Sequence, residues 1–197
     1  MKQNSNTDLG KTNELRPNSN ITDDDHDHDV IRQVLKGDVN KYRVLVEKHQ
    51  RAVYNLCYQM LNNYEDAEEL TQDVFVKAYE HLAGFRFKYR FFSWIYRIAI
   101  NRTLAHIKQQ SRQTGIANIR YKLAETDEEE NDRNTHLKMA IDLLKENFKT
   151  VIILKYYEQL SYKEMSVILE IPEKTIRSRL YDARIKMKQI LEDTGYW

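Results

Sequence analysis

The segment from Leu160 to Leu191 constrains the fold more than any other, because its local signals agree on two helices separated by a tight turn. Ser161 and Glu164 have the spacing of a capping box. The serine hydroxyl can accept from the Glu164 N–H while the glutamate reaches back to the Ser161 N–H. Leu160 and Met165 occupy the flanking positions of a hydrophobic staple. Together they predict a helix over Tyr162–Leu169. Glu170-Ile171-Pro172 predicts the turn, since proline is tolerated in the first turn of a helix and not inside one. Beyond it, Ile176, Leu180, Ala183, Met187 and Ile190 recur at steps of four and three, a single apolar stripe over about Glu173–Leu191. Lys174, Arg177, Ser178, Tyr181 and Arg184 fall on the opposite side. A helix that buries one face and offers donors on the other suits the major groove of duplex DNA.

The rest of the chain points the same way. It has 5 Gly and 2 Pro in 197 residues, a scarcity that disfavours turn-rich β folds and predicts an all-α chain. No apolar run approaches the ~18 residues of a membrane span, so no membrane insertion is expected and the chain reads as cytoplasmic. A single cysteine, Cys57, lies in an apolar run and reads as a core residue. The net charge of +1 averages unlike segments. Five Asp fall between Asp23 and Asp29, and six acids between Glu125 and Asp132. Seven Lys/Arg stand against one acid from Glu80 to Arg112, and six against two from Glu173 to Leu191. Separate basic blocks predict two polyanion-binding surfaces.

Residues 1–29 read as a disordered acidic tail. Residues 30–112 read as one helical unit, 113–134 as a flexible acidic linker, and 135–197 as a second unit carrying the helix-turn-helix. In the first unit the patterns predict helices over about Val30–Leu35, Asp38–Met60, Glu65–Leu82 and Ser93–Gln109, with Gly37, Asn62-Asn63 and Gly84 as breaks. Between the last two lies Phe85-Arg86-Phe87-Lys88-Tyr89-Arg90-Phe91-Phe92-Ser93-Trp94, where rings alternate with cations. Rings stack on unpaired bases and cations hold phosphates, so the block suits single-stranded DNA. Phe91 and Trp94 are its expected core members. On the next helix Trp94, Arg97, Asn101, Ala105 and Lys108 share a stripe.

These pieces, in this order, resemble the bacterial sigma-70 family, in its extracytoplasmic-function (ECF) group. The resemblance rests on Val53-Tyr54-Asn55-Leu56, Asp66–Phe75, Trp94–Asn101, Leu160–Met165 and Ile171–Arg184. It implies two small helical domains, like sigma regions 2 and 4. It implies core RNA polymerase and promoter DNA as partners, with an anti-sigma factor as a further expected one. Asp66, Glu69, Gln72 and Asp73, with Leu70 and Phe75, would meet the polymerase. Phe85, Arg86, Lys88, Tyr89, Arg90, Trp94, Arg97, Asn101 and Lys108 would melt and capture the −10 element. Lys174, Thr175, Arg177, Ser178, Arg179, Tyr181 and Arg184 would read the −35 duplex. Family members often carry Gly where Glu170 stands, a small polar segment where Phe87–Arg90 stands, and Leu-Pro-Glu at Lys145-Glu146.

No carboxylate pair, Cys/His cluster or phosphate-cradling glycine loop suggests catalysis, and no cofactor or metal is expected. Two other readings stand beside this one. A free-standing helix-turn-helix regulator would bind a palindrome as a dimer, leaving the Asp66–Asp73 face and the aromatic block without a role. A metal-dependent enzyme would use the run Asp23–Asp29.

Overall fold

The structure is a computed structural model that describes residues 20–114 and 132–195. The described residues are helical: α1 (Asn20–Leu35), α2 (Tyr42–Leu61), α3 (Tyr64–Glu80), α4 (Phe91–Thr114), α5 (Asp132–Asp142), α6 (Glu146–Ile152), α7 (Tyr162–Leu169) and α8 (Glu173–Asp193). The expected all-α class is thus observed. Most of the expected linker, including Glu125–Glu130, lies outside the described residues, as does the start of the N-terminal tail.

The first unit packs α2, α3 and α4 around a shared core. Leu45, Val53, Leu56 and Met60 of α2 face Ala67, Leu70, Val74 and Ala78 of α3 and Phe91, Ile95 and Ala99 of α4. The breaks follow residue chemistry. Asn62 closes α2 in the left-handed conformation, at a φ of 51°, which asparagine tolerates better than most residues. Asn63 then caps α3 by accepting from the Asp66 N–H at 2.9 Å. Gly37, at a φ of 110°, ends α1 where a side chain would be strained. Cys57 is buried, and its thiol meets the Thr103 hydroxyl at 3.6 Å. Burial pushes that thiol up, as expected of an inert core residue.

The N-terminal boundary differs from expectation. Helix α1 spans Asn20–Leu35, so residues 20–29 are helical rather than part of a tail. The apolar stripe of Ile31 and Val34 continues upstream in polar residues, through Asp27 and Asp24. Asp27 is 2% exposed, and its carboxylate accepts from Lys48 Nζ at 2.8 Å and pairs with His49 Nε2 at 2.9 Å. Burial alone would raise its pKa, but the hydrogen bonds from His49 and Lys48 outweigh it and hold the carboxyl below its usual range. Two members of the acidic run are thus engaged inside the fold. Asp27 turns to His49, and His28 Nε2 turns to the Tyr89 carbonyl at 3.0 Å. Among the described residues no group of three or more His, Cys, Asp or Glu is arranged to hold a metal.

In the second unit α5 and α6 pack on α8, and α7 lies across α8 as the first arm of the helix-turn-helix. After α6 the chain passes through one wider turn of π-helix, Ile153–Tyr157, before the short link to Ser161. That turn buries Ile153 and Leu154 while Tyr156 and Tyr157 stay exposed. The two units touch. Helix α4 packs against α7, and α2 meets the π turn.

Candidate nucleic-acid interface

The helix-turn-helix forms as its residues dictate. Ser161 Oγ accepts from the Glu164 N–H at 3.2 Å, and Glu164 Oε2 accepts from the Ser161 N–H at 2.9 Å. Leu160 and Met165 are buried beside this box. Glu170 ends α7 in the left-handed region at a φ of 55°, and Pro172 is the cap that starts α8. Ser166 Oγ donates to the Ile171 carbonyl at 2.6 Å, tightening the turn. On α8, Ile176, Leu180 and Ala183 are buried, with Met187 and Ile190 packed at the core edge. Lys174, Arg177, Ser178, Tyr181 and Arg184 are exposed, while Thr175 and Arg179 are half-buried. Arg177 lies 3.5 Å from Glu173, and its guanidinium stands 5.0 Å from the Tyr162 ring centroid. The donors at the N-terminal end of α8 therefore protrude from a helix whose rotation is fixed by its buried face.

The aromatic-basic block divides more sharply than its alternation suggests. Phe85 is 5% exposed and packs edge-on against Trp94, at 5.4 Å between centroids, and against Phe91. Phe85 is thus a core residue, not the stacking platform expected, because Leu82–Gly84 forms a tight turn that tips it inward. Trp94 is half-buried on the same cluster. The exposed members are Arg86, Phe87 and Lys88, followed along α4 by Asn101 and Lys108. Tyr89 is half-buried, with Lys88 Nζ 4.9 Å from its ring centre. Sequence periodicity does not single out Phe87, yet it is the exposed ring of this loop, 37% accessible.

Two cations of the block are occupied. Arg90 Nε lies 2.8 Å from Asp24 of α1, and its Nη1 lies 3.3 Å from Glu164 of α7. Arg97 Nη1 lies 2.5 Å from Glu170, and its Nη2 donates to the Val167 carbonyl at 3.1 Å. Nearby, the Tyr96 hydroxyl donates to Glu158 at 2.7 Å. Burial raises the Glu158 carboxyl despite that hydrogen bond. A cavity of about 260 Å³ beside these contacts is lined by Arg86, Tyr89, Ser93, Trp94, Arg97 and Glu170 among others.

The acidic helix α3 also differs from expectation. Leu70 and Phe75 are each 6% exposed, so neither can reach a partner surface as expected. They continue the inward stripe of Ala67, Val74 and Ala78. Asp66 and Asp73 lean toward α4. Asp66 accepts from Gln110 Nε2 at 3.0 Å, and Asp73 pairs with Arg102 at 2.5 Å. The outer face consists of Glu65, Glu68, Glu69, Gln72, Val76 and Tyr79, all exposed. Val76 and Tyr79 add apolar area to it that no polar pattern signals, 55% and 41% exposed.

Comparison with known proteins finds matches over both helical units. The family model for Sigma-70 region 2 matches residues 45–113, and that for Sigma-70, region 4 matches residues 136–187. The chain is 30% identical over 178 residues to the ECF RNA polymerase sigma factor SigW of Bacillus subtilis (strain 168), covering 83% of this chain and 95% of that protein. It is 30% identical over 173 residues to the ECF RNA polymerase sigma-E factor of Escherichia coli (strain K12), covering 80% and 90%. Its fold is similar to that of CnrH, solved with the cytosolic domain of CnrY, at a TM-score of 0.63 and 22% identity over 85% of this chain and 97% of that one. It is also similar to the sigma factor RpoE solved with the anti-sigma factor NepR from Bartonella quintana, at a TM-score of 0.59 and 18% identity over 77% and 96%. With both family regions matched in order and near full-length relatives at this identity, the chain belongs to the extracytoplasmic-function group of the sigma-70 family.

Proposed function

We propose that this sigma factor works through three surfaces, with α8 reading the −35 duplex, the Phe85–Lys108 region opening the −10 element, and the outer face of α3 meeting core RNA polymerase. The observation that carries the reading is the one-sided build of α8. Ile176, Leu180 and Ala183 lock the helix onto its unit, and this aims Lys174, Arg177, Ser178, Tyr181 and Arg184 outward together. Arg and Lys on such a face match guanine edges and phosphates, and Ser and Tyr match phosphates. Thr175 and Arg179 are half-buried beside them.

At the −10 element the exposed donors and ring are Arg86, Phe87, Lys88, Asn101 and Lys108, with Tyr89 and Trp94 beside them. Unstacking a base step costs a few kcal/mol. Stacking on a ring returns about 1–3 kcal/mol per base, and phosphate contacts supply the rest. The polymerase-facing residues are Glu69 and Gln72 with their exposed neighbours. Asp66 and Asp73 orient the face by tying α3 to α4.

The chain acts without bond-making chemistry of its own, since phosphodiester synthesis belongs to the polymerase, and it works in the cytoplasm. Among the described residues no helix is long and apolar enough to cross a membrane. An anti-sigma factor is a further partner of this reading, in keeping with the neighbour solved with NepR. The test is run-off transcription with purified core polymerase. Initiation that requires both this chain and matched −10 and −35 elements supports the proposal, whereas promoter binding by the chain alone as a dimer favours the free-standing regulator.

A further inference from the structure

Asp24, His28 and Arg32 recur at steps of four along α1, which puts them on one face of that helix. That face meets the loop between the tight turn Leu82–Gly84 and α4. Asp24 pairs with Arg90 at 2.8 Å. His28 Nε2 donates to the Tyr89 carbonyl at 3.0 Å, an oxygen that can only accept. The His28 ring also lies 5.6 Å from the Phe85 ring and 5.4 Å from the Phe87 ring, between centroids. Arg32 stands over the Phe87 ring, 4.9 Å from its centre. The loop itself supplies Phe85, whose ring meets that of Phe87 at 5.3 Å. The adjoining side of α1 fixes where this face points. Val30, Ile31 and Val34 are buried, and Asp27 is held in the core by Lys48 and His49 of α2. All of α1 lies ahead of residues 45–113, the stretch matched by the region 2 family model.

We propose that α1 is a positioning element for −10 recognition, in which His28 and Arg32 hold the Phe87 ring in the orientation that stacks on an unpaired base. The inference rests on the −10 assignment above. Phe87 is the exposed ring of a loop, and a ring on a loop has rotamer freedom to lose when a base stacks on it. A ring held in place beforehand loses less, so the same stacking contact yields tighter binding. The two contacts divide the task. His28 fixes the backbone two residues beyond Phe87, and Arg32 covers the ring itself. Both side chains act through Phe87 and need no contact with DNA of their own. Asp27 keeps them in register, because its bonds to Lys48 and His49 tie α1 to α2 at the turn that carries His28.

The experiment is a mutant cycle in reconstituted holoenzyme. Fluorescence anisotropy reads its affinity for single-stranded −10 oligonucleotides of a promoter it transcribes, with the base changed at each position in turn. The chains compared are wild type, Phe87→Ala, a variant carrying His28→Ala and Arg32→Ala, and the three changes together. Arg43→Ala is the control for a lost surface cation, since Arg43 is 82% exposed on α2 and pairs with Glu47. Phe87→Ala is expected to flatten the base preference at one position. The His28 and Arg32 changes should lower the preference at that same position about three- to tenfold, with the −35 preference unchanged. Added to Phe87→Ala, they should lower it no further, because they act through the ring that is gone. Arg43→Ala should match wild type. A His28 and Arg32 variant that keeps the preference while Phe87→Ala loses it overturns the positioning role alone. So does a loss that falls equally on every position, or one that adds in full to that of Phe87→Ala. A Phe87→Ala holoenzyme that keeps every preference overturns stacking by Phe87 and the positioning role with it. Where the double variant melts early, Arg32→Ala alone gives the reading, since that side chain is 53% exposed. It should lower the same preference about two- to fivefold, and no change overturns the proposal.

Discussion

Replacing Arg177 by alanine separates a DNA-reading role from a structural one. Arg177 is 63% exposed. Within the protein it has a 3.5 Å pair with Glu173 and a 5.0 Å approach to the Tyr162 ring. An exposed ion pair contributes about 0.2–1 kcal/mol and an exposed cation–ring contact about 0.5–1 kcal/mol. Losing both costs the fold on the order of 1 kcal/mol, a shift of about 2–4 °C in melting temperature for a chain of this size. A bidentate contact to a base is worth about 1–3 kcal/mol of discrimination, or about 5- to 150-fold. Arg177→Ala is therefore expected to melt nearly where the wild type does. It should also lose most of the preference for a matched over a mismatched −35 base pair. The assay is run-off transcription by reconstituted holoenzyme on promoters substituted at each −35 position in turn. On one substituted position wild type and variant should converge. A loss of the same size on every −35 sequence would refute base reading by Arg177, and a melting drop well beyond about 4 °C would show its role to be structural.

Other substitutions probe the remaining surfaces. Glu69→Arg on the outer face of α3 should weaken affinity for core polymerase about tenfold or more with an unchanged melting curve, whereas Phe75→Ala, in the core, should cost about 3–5 kcal/mol of stability first. Equal core affinity for Glu69→Arg in a direct binding assay would take that face out of the interface. Ser161→Ala, which breaks the capping box, should cost about 0.5–2 kcal/mol in urea unfolding. No change would mean the box contributes nothing in solution. Glu158 carries a sign that can be checked. Its folded pKa is raised by burial, so its stabilising contribution is full below the unfolded value of about 4.3 and is lost as pH rises through the folded value. Glu158→Gln keeps an acceptor for Tyr96 without the charge, and it should be more stable than wild type near pH 8, with the gap closing as pH falls. A gap that widens toward acid would show that the ionised carboxylate, not the neutral one, is favoured at this contact.

What could be read from residues alone was what is local. The capping box at Ser161, the staple of Leu160 and Met165, and the stripe from Ile176 to Ile190 all lie within a turn or two of chain, and the helix-turn-helix forms as they predict. Residues whose role depends on distant partners were not legible. Asp27 looks like part of a solvated acidic run because His49, which buries it, is 22 positions away. Phe75 follows Val74 on α3, and either could face inward by pattern. The packing turns both inward and leaves Val76 and Tyr79 outside. The same holds for Arg90 and Arg97, which read as free phosphate-binding cations. Their partners Asp24, Glu164 and Glu170 lie 66 to 74 positions away and carry no local signal of the contact.

The central claim is that this chain gives core polymerase its promoter specificity. The most direct measurement is transcription from a library of randomised promoters by purified core polymerase with and without the chain, with start sites mapped by sequencing. Starts are expected to appear only when the chain is present and to share one −35 and one −10 sequence at a fixed separation. The −35 preference should relax in Arg177→Ala. Starts that do not depend on the chain, or a chain that selects a palindrome in the absence of polymerase, would contradict it.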